Sequence, residues 1–229
     1  MRLRKMAECV VMTCAAFVAH AEVKGLQEPW LKSGETLLCF GDSLTAQGGY
    51  VSILSNELAA AGVRVVNGGK SGDKTPTALA RLARTVEAVQ PDAMLLFFGA
   101  NDAVIGRAQW RDEPKIAPET YRDNLEWIVH YCRMNTGVRK FSIAPPTGGI
   151  EGPNGYPFGE IRRNYCLMAR EAADQSDAVF VPLDSAFECE RMRRMEDAKG
   201  LKLTSDGIHL NAEGNRIAAE TMLRAWRMK

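Results

Sequence analysis

The run Ala93-Met94-Leu95-Leu96-Phe97-Phe98 constrains this 229-residue chain more than any other segment. Six apolar residues without a polar interruption, closed by Gly99, suit a strand covered on both faces, which is the situation of a central strand in a parallel sheet. Shorter runs of the same kind recur at Thr36 to Phe40 (between Gly34 and Gly41), Arg64 to Val66, Phe141 to Ala144 (stopped by Pro145-Pro146) and Val179 to Val181. Stretches with helical spacing lie between them. Tyr50 to Ala60 puts Val51, Leu54 and Leu58 on one face and ends before Gly62, in the usual role of a glycine past a helix. Thr75-Pro76 opens the next helix, the threonine as cap and the proline in the first turn. Leu79, Leu82, Val86 and Val89 give it an apolar stripe, and Pro91 closes it. Pro118 opens a long helix to about Met134, with Leu125, Ile128, Val129 and Cys132 inward. Further helices are predicted over roughly Glu160 to Asp174, Asp184 to Lys199 and Asn211 to Arg227.

Strands alternating with helices predict an α/β fold, a three-layer α/β/α sandwich around a five-stranded parallel sheet with right-handed crossovers, flavodoxin-like in its winding. Ligands of such sheets bind beyond the carboxyl ends of the strands. Residues able to do chemistry stand there. Gly41-Asp42-Ser43-Leu44 follows the first strand, Lys70-Ser71-Gly72-Asp73 the second and Gly99-Ala100-Asn101-Asp102 the third, while Asp206-Gly207-Ile208-His209 comes after the fifth and before the last helix. A serine becomes a nucleophile only beside a base. Of the three histidines, His20 lies near the amino terminus and His130 lies mid-helix, where a surface or packing role fits. His209 remains. Asp206, three positions earlier, can reach its Nδ1–H, fix the tautomer and stabilise the imidazolium. Donors for a developing oxyanion are available in the backbone N–H groups of Ser43 and Gly72 and the side-chain amide of Asn101. Taken alone, Gly-Asp-Ser also fits an ordinary polar turn, and Asp206 with His209 also fits a cap on the terminal helix. Thr45 stands where a G-x-S-x-G elbow needs its second glycine. A glycine-rich turn can hold phosphate, but the P-loop lysine pattern is missing.

In chain order, Gly41-Asp42-Ser43-Leu44, Asn67-Gly68-Gly69-Lys70-Ser71-Gly72-Asp73, Gly99-Ala100-Asn101-Asp102 and Asp206-Gly207-Ile208-His209 resemble the four blocks of the SGNH hydrolases, also called the GDSL lipase/esterase family, over about Thr36 to Trp226. The resemblance implies the SGNH hydrolase fold and a serine esterase without a cofactor. It implies Ser43 as nucleophile, His209 as base, Asp206 as its orienter, and Ser43, Gly72 and Asn101 as oxyanion donors. Phe97-Phe98-Gly99-Ala100-Asn101-Asp102-Ala103, Tyr121-Arg122-Asp123-Asn124-Leu125, Ala144-Pro145-Pro146 and Leu203 to Leu210 with Glu213-Gly214-Asn215 further resemble the isoamyl-acetate-hydrolysing esterase-like branch. That branch implies short-chain, often acetyl, ester hydrolysis. A lysophospholipase or thioesterase with the same catalytic residues, and a non-catalytic ligand-binding module that keeps the fold, are the other function classes.

Two loops leave the carboxyl edge and are expected to shape the cleft. One is Gly106 to Pro118, with Gln109, Trp110 and Arg111; the other is Pro145 to Phe158, with Thr147, Gly148, Gly149, Tyr156 and Phe158. Neither carries a long apolar stretch that would make a lipid-binding lid, so small acyl groups are expected, on a small-molecule or carbohydrate ester. The formal net charge of +1 leaves no basic field for nucleic acid. No H-E-x-x-H or clustered Cys/His pattern predicts a metal site. Cys39, Cys132, Cys166 and Cys189 match no zinc or thioredoxin-like spacing and are expected as mostly buried thiols. The charged stretch Glu188 to Lys199 is expected to be a solvated helix face with mixed ion pairs. At the amino terminus, a basic start, an apolar run to Ala19 and Ala19-His20-Ala21 have the parts of a signal peptide over residues 1–21, ahead of one domain over 22–229. Cleavage near Ala21 predicts a secreted or periplasmic protein, and the run is too short for stable membrane insertion. A surface amino terminus and a lipid anchor at Cys14 are the competing readings, and no pattern specifies an oligomeric state.

Overall fold

The computed structural model describes residues 28–103, 115–147, 151–152 and 158–229. The expected leader, most of the two cleft loops (Gln109, Trp110, Arg111, Gly148, Gly149, Tyr156) and the side chain of Phe158 lie outside these residues. Strands β1 (Thr36–Gly41), β2 (Arg64–Gly69), β3 (Ala93–Phe97), β4 (Lys140–Ala144) and β5 (Val179–Phe180) form one parallel sheet in the order β2-β1-β3-β4-β5. This is the flavodoxin-like order, which reverses direction between β1 and β3. Helices among the described residues are α1 (Ser43–Ala46), α2 (Gly49–Ala59), α3 (Thr75–Val89), α4 (Pro118–Asn135), α5 (Phe158–Gln175), α6 (Leu183–Arg193) and α7 (Ala212–Ala225).

The period-2 alternation of the strands sorts the core into two layers. Leu37, Cys39, Leu95 and Phe97 point to one face and pack with Leu54 and Leu58 of α2, Phe187 of α6 and Met222 of α7. Leu38, Phe40, Met94 and Leu96 point to the other and pack with Leu82 and Val86 of α3, Leu125 and Ile128 of α4 and Tyr165 of α5. All of these side chains are almost fully buried, as a sheet covered on both faces requires. Cys39 and Cys132 are buried as expected, and burial pushes each thiol up to about 12. Cys166 is also buried and points its Sγ at the Pro146 carbonyl, whereas Cys189 on α6 is half-buried. His130 is exposed on α4.

Register sets the site. Gly41 pairs with Gly69 on one side and Phe97 on the other, and Phe97 pairs with Ala144. Four strands therefore end in one row, and the polar blocks that follow them share one edge. Glycine is required in this row by crowding. A Cβ on Gly41 would lie 2.1 Å from Thr45 Oγ1 and 2.7 Å from the Phe97 carbonyl oxygen, and one on Gly69 would lie 2.2 Å from the Ala46 nitrogen. The chain after β1 thus turns back over β2 in close contact, and the short α1 begins at once.

Three local expectations are corrected. Thr75 does not cap α3; it is the first helical residue, and its N–H and hydroxyl both donate to Asp102 Oδ1, at 2.9 and 2.6 Å. A carboxylate from the loop after β3 takes the capping role because it is buried beside the helix start, where an unpaired N–H would be costly. Strand β2 continues through Asn67-Gly68-Gly69, since the β1 backbone alongside supplies its partners. Helix α6 stops at Arg193 rather than Lys199: Asp197 Oδ1 accepts from the N–H groups of Lys199 and Leu201, both at 2.8 Å, and this side-chain turn competes with the helix.

Candidate active site

Ser43, Gly72, Asn101, Asp206 and His209 all come from segments at the carboxyl edge of the sheet. Ser43 is the first residue of α1, and the first N–H groups of a helix have no acceptor within it. Asp42 is the cap before it: Oδ1 accepts from Leu44 N–H at 2.9 Å. Ser43 is half-buried, and its Oγ lies 3.0 Å from His209 Nε2.

The His209 segment is a closed loop. Thr204 and Leu210 form an antiparallel bridge, and Ser205 N–H donates to the His209 carbonyl at 2.8 Å. Inside it, Asp206 Oδ1 accepts from the N–H groups of Ile208 (3.0 Å) and His209 (2.8 Å), while Oδ2 lies 2.6 Å from His209 Nδ1. An ionised carboxylate only accepts, so Nδ1 carries the proton and Nε2 faces the serine hydroxyl as acceptor. Partial burial works against the charge on Asp206. The hydrogen bonds from the His209 ring and from both backbone N–H groups outweigh it, and the carboxyl stays below the ordinary aspartate range.

The Gly72 and Asn101 loops are tied to each other. Asn101 is buried, and its Nδ2 donates to the Asp73 carbonyl at 2.9 Å. An amide NH₂ has two hydrogens, so the second remains available. Gly72 precedes Asp73 and has φ +80°, a conformation that glycine adopts without strain. Lys70 N–H donates to the Gly41 carbonyl at 3.0 Å, which docks the Gly72 turn on the end of β1.

Several residues of the site were not anticipated. Arg81 on α3 donates from Nε to Asp73 (2.5 Å), from Nη1 to the Gly68 carbonyl (2.9 Å) and from Nη2 to the Gly41 carbonyl (3.1 Å), and its guanidinium lies over the Phe40 ring. One side chain thus pins the Gly72 turn to the ends of β1 and β2. Arg162 on α5 is buried and donates to the Ala100 carbonyl at 3.1 Å, just before Asn101. Its burial lowers its pKa to about 10. Burial raises Asp42 to about 7, with the Leu44 N–H opposing, and raises Asp102 to about 6 against the bonds from Thr75. Arg191 is the clearest departure from the solvated-face expectation, since it pairs at 3.2 Å with the buried Glu151.

The arrangement is a serine hydroxyl on an oriented imidazole, with N–H donors on the neighbouring loops. Comparison with known proteins identifies the family. The GDSL-like Lipase/Acylhydrolase family matches residues 39–217. An acetylxylan esterase from Geobacillus stearothermophilus is 29% identical over 216 residues, which are 84% of this chain and 94% of that protein. Its crystal structure has a TM-score of 0.73 at 26% identity, covering 86% of this chain and 96% of that one. A GDSL esterase/lipase from Arabidopsis thaliana is 28% identical over 209 residues, 83% of this chain and 85% of that protein. By sequence and by fold, the chain belongs to the GDSL-like lipase/acylhydrolase family and is a carboxylic ester hydrolase.

Proposed function

We propose that the protein hydrolyses short-chain acyl esters, acetyl esters foremost, on small-molecule or carbohydrate alcohols. The observation that carries this reading is the unbroken relay from Asp206 through His209 to Ser43, at 2.6 and 3.0 Å. The solved acetylxylan esterase supports it. Variants of that enzyme at one serine, one aspartate and one histidine are each described as catalytic mutants, and its aspartate and histidine are three positions apart, as Asp206 and His209 are.

In this mechanism the Ser43 Oγ attacks the ester carbonyl carbon while His209 Nε2 takes the hydroxyl proton. The tetrahedral oxyanion is held by the N–H groups of Ser43 and Gly72 and the free hydrogen of the Asn101 amide. The intermediate collapses by breaking the bond to the alkoxy oxygen, which leaves as alcohol with the proton from His209. Water, deprotonated by His209, then attacks the acyl-serine, and the acid leaves with Ser43 restored. Asp206 keeps the ring oriented and stabilises its cationic form.

Asn101 is oriented by its hydrogen bond to the Asp73 carbonyl, so Asn101→Ala removes one oriented donor and leaves the serine relay intact. It is expected to lower kcat by about 10²–10³-fold with KM nearly unchanged, read from steady-state kinetics on p-nitrophenyl acetate. A rise in KM with kcat unchanged would remove Asn101 from the oxyanion hole.

The acyl preference is read from p-nitrophenyl esters running from acetate to laurate. Acetate is expected to give the highest kcat/KM, with acetylated polysaccharide as the next substrate. A maximum at long chains would replace this reading with a lysophospholipase or thioesterase. We also read the basic and apolar start ending in Ala19-His20-Ala21 as an export signal, which suits an enzyme that meets glycan esters outside the cytoplasm.

A further inference from the structure

Glu151 has no part in the chemistry above, yet it makes the densest set of hydrogen bonds at this edge of the sheet. Its side chain is 4% exposed, and a buried carboxylate must be paired. It is paired with the segment that leads to His209. Oε2 accepts from the N–H groups of Lys202 (2.8 Å), Leu203 (2.8 Å) and Thr204 (2.9 Å) and from the Thr204 hydroxyl (2.8 Å). Oε1 accepts from Leu203 N–H at 3.0 Å and from Arg191 Nε at 3.2 Å. Burial works against its charge, but these donors outweigh it and hold the carboxyl below the ordinary glutamate range.

The grip extends to the residue between Asp206 and Ile208. The backbone N–H of Glu151 donates to the Gly207 carbonyl at 2.9 Å, and Gly207 N–H donates to Thr204 Oγ1 at 3.1 Å. Gly207 is therefore held at both of its backbone groups, one directly by Glu151 and one through Thr204. Arg191 fastens the assembly to the sheet, since its Nη1 donates to the Thr147 carbonyl at 2.8 Å just beyond β4.

We propose that Glu151 is a positioning residue: it clamps residues 202–207 so that Asp206 and His209 meet Ser43 in register. The proposal rests on the reading of these three residues as the catalytic relay. Among the described residues, Asp206 and Ser43 meet the His209 ring in hydrogen bonds, and the buried Asp42 acts on it electrostatically. Glu151 bonds to none of them and acts through the loop backbone. A shift of about 1 Å in such a loop costs on the order of 10²-fold in rate, because proton transfer from Ser43 needs a short, aligned contact.

The test uses the full chain with Glu151→Gln and Thr204→Val, and Thr204→Ser as the conservative control. Glutamine keeps the shape but turns an NH₂ group toward backbone donors. Valine keeps the volume and removes the hydroxyl between Glu151 and Gly207, so it reports on the clamp even if the glutamine variant folds poorly. Both are expected to lower kcat on p-nitrophenyl acetate by about 10–100-fold with KM within about twofold, and Thr204→Ser to restore most of the rate. A merely structural role would lower Tm and leave kcat in place, which would overturn the proposal. The downfield proton resonance of the His209 Nδ1–H, bonded to Asp206, reads the same geometry without turnover. Its loss or upfield shift in Glu151→Gln supports the clamp, and an unchanged resonance overturns it. If the wild type hydrolyses no ester, the catalytic reading fails by itself, and the resonance still decides on Glu151.

Discussion

Replacing Ser43 with alanine is expected to lower kcat on p-nitrophenyl acetate by roughly 10⁴–10⁶-fold, a loss of about 5–8 kcal/mol of transition-state stabilisation. The size follows from the geometry. The Ser43 hydroxyl is the group that His209 Nε2 faces at 3.0 Å, and alanine offers no atom that can attack or pass on a proton. The remaining rate is expected to come from the backbone N–H groups and from Asn101, which the substitution leaves in place. The fold is expected to survive, because Ser43 is the first residue of a short helix whose cap is the neighbouring Asp42, and alanine is a good helix former. Three readings check this: kcat, the circular dichroism melting curve, and labelling by a fluorophosphonate. The wild type is expected to take the label and Ser43→Ala to refuse it. A variant that keeps a tenth of the activity with a normal melting curve would move the nucleophile elsewhere.

What the sequence made legible is what is local. Each strand shows as an apolar run, Ser43, Gly72 and Asn101 each stand shortly after one, and Asp206 with His209 stands just before the last helix, so the order of elements and most of the carboxyl-edge row follow from short windows. Asp206 and His209 are three positions apart, and their contact is a property of one turn. The partners that hold the site in place are not local. Arg81 reaches Gly41 from 40 positions away, and Glu151 reaches Leu203 from 52. On the chain, Arg81 occupies a polar position in an amphipathic helix, and Arg191 sits in a run of mixed charges. Both patterns match a solvated face. Only the tertiary packing, which brings α3 over the ends of β1 and β2 and α6 beside the loop after β4, converts them into partly buried donors. Asp102 is a similar case. Its place beside Asn101 suggests the active site, whereas its carboxylate binds the start of α3. The site is therefore readable as chemistry and unreadable as scaffold: reactive groups are brought together by the ends of strands, while their supports are chosen by contacts between elements far apart in the chain.

Replacing His209 with alanine is expected to cost about as much as replacing Ser43, and the double variant little more than either one. Independent contributions would multiply, so the double variant would fall by the product of the two losses. Here they describe one proton transfer. Without the imidazole, Ser43 keeps its proton at neutral pH and is a weak nucleophile. Without the serine, the imidazole has no hydroxyl to deprotonate. The pH–rate profile separates this coupling from a general loss of structure. In the wild type, activity is expected to fall on the acid side as His209 takes a proton on Nε2, since only the neutral ring can act as base. In His209→Ala the residual activity is expected to lose that limb, while Asp206, with its ring partner gone, keeps its hydrogen bond from Ile208. Multiplicative losses in the double variant, or an acid limb that persists in His209→Ala, would assign the base to another group. Nothing else in the described site offers an imidazole to Ser43, and the buried Asp42, whose Oδ1 accepts from Leu44 N–H, is the residue that such a result would bring forward.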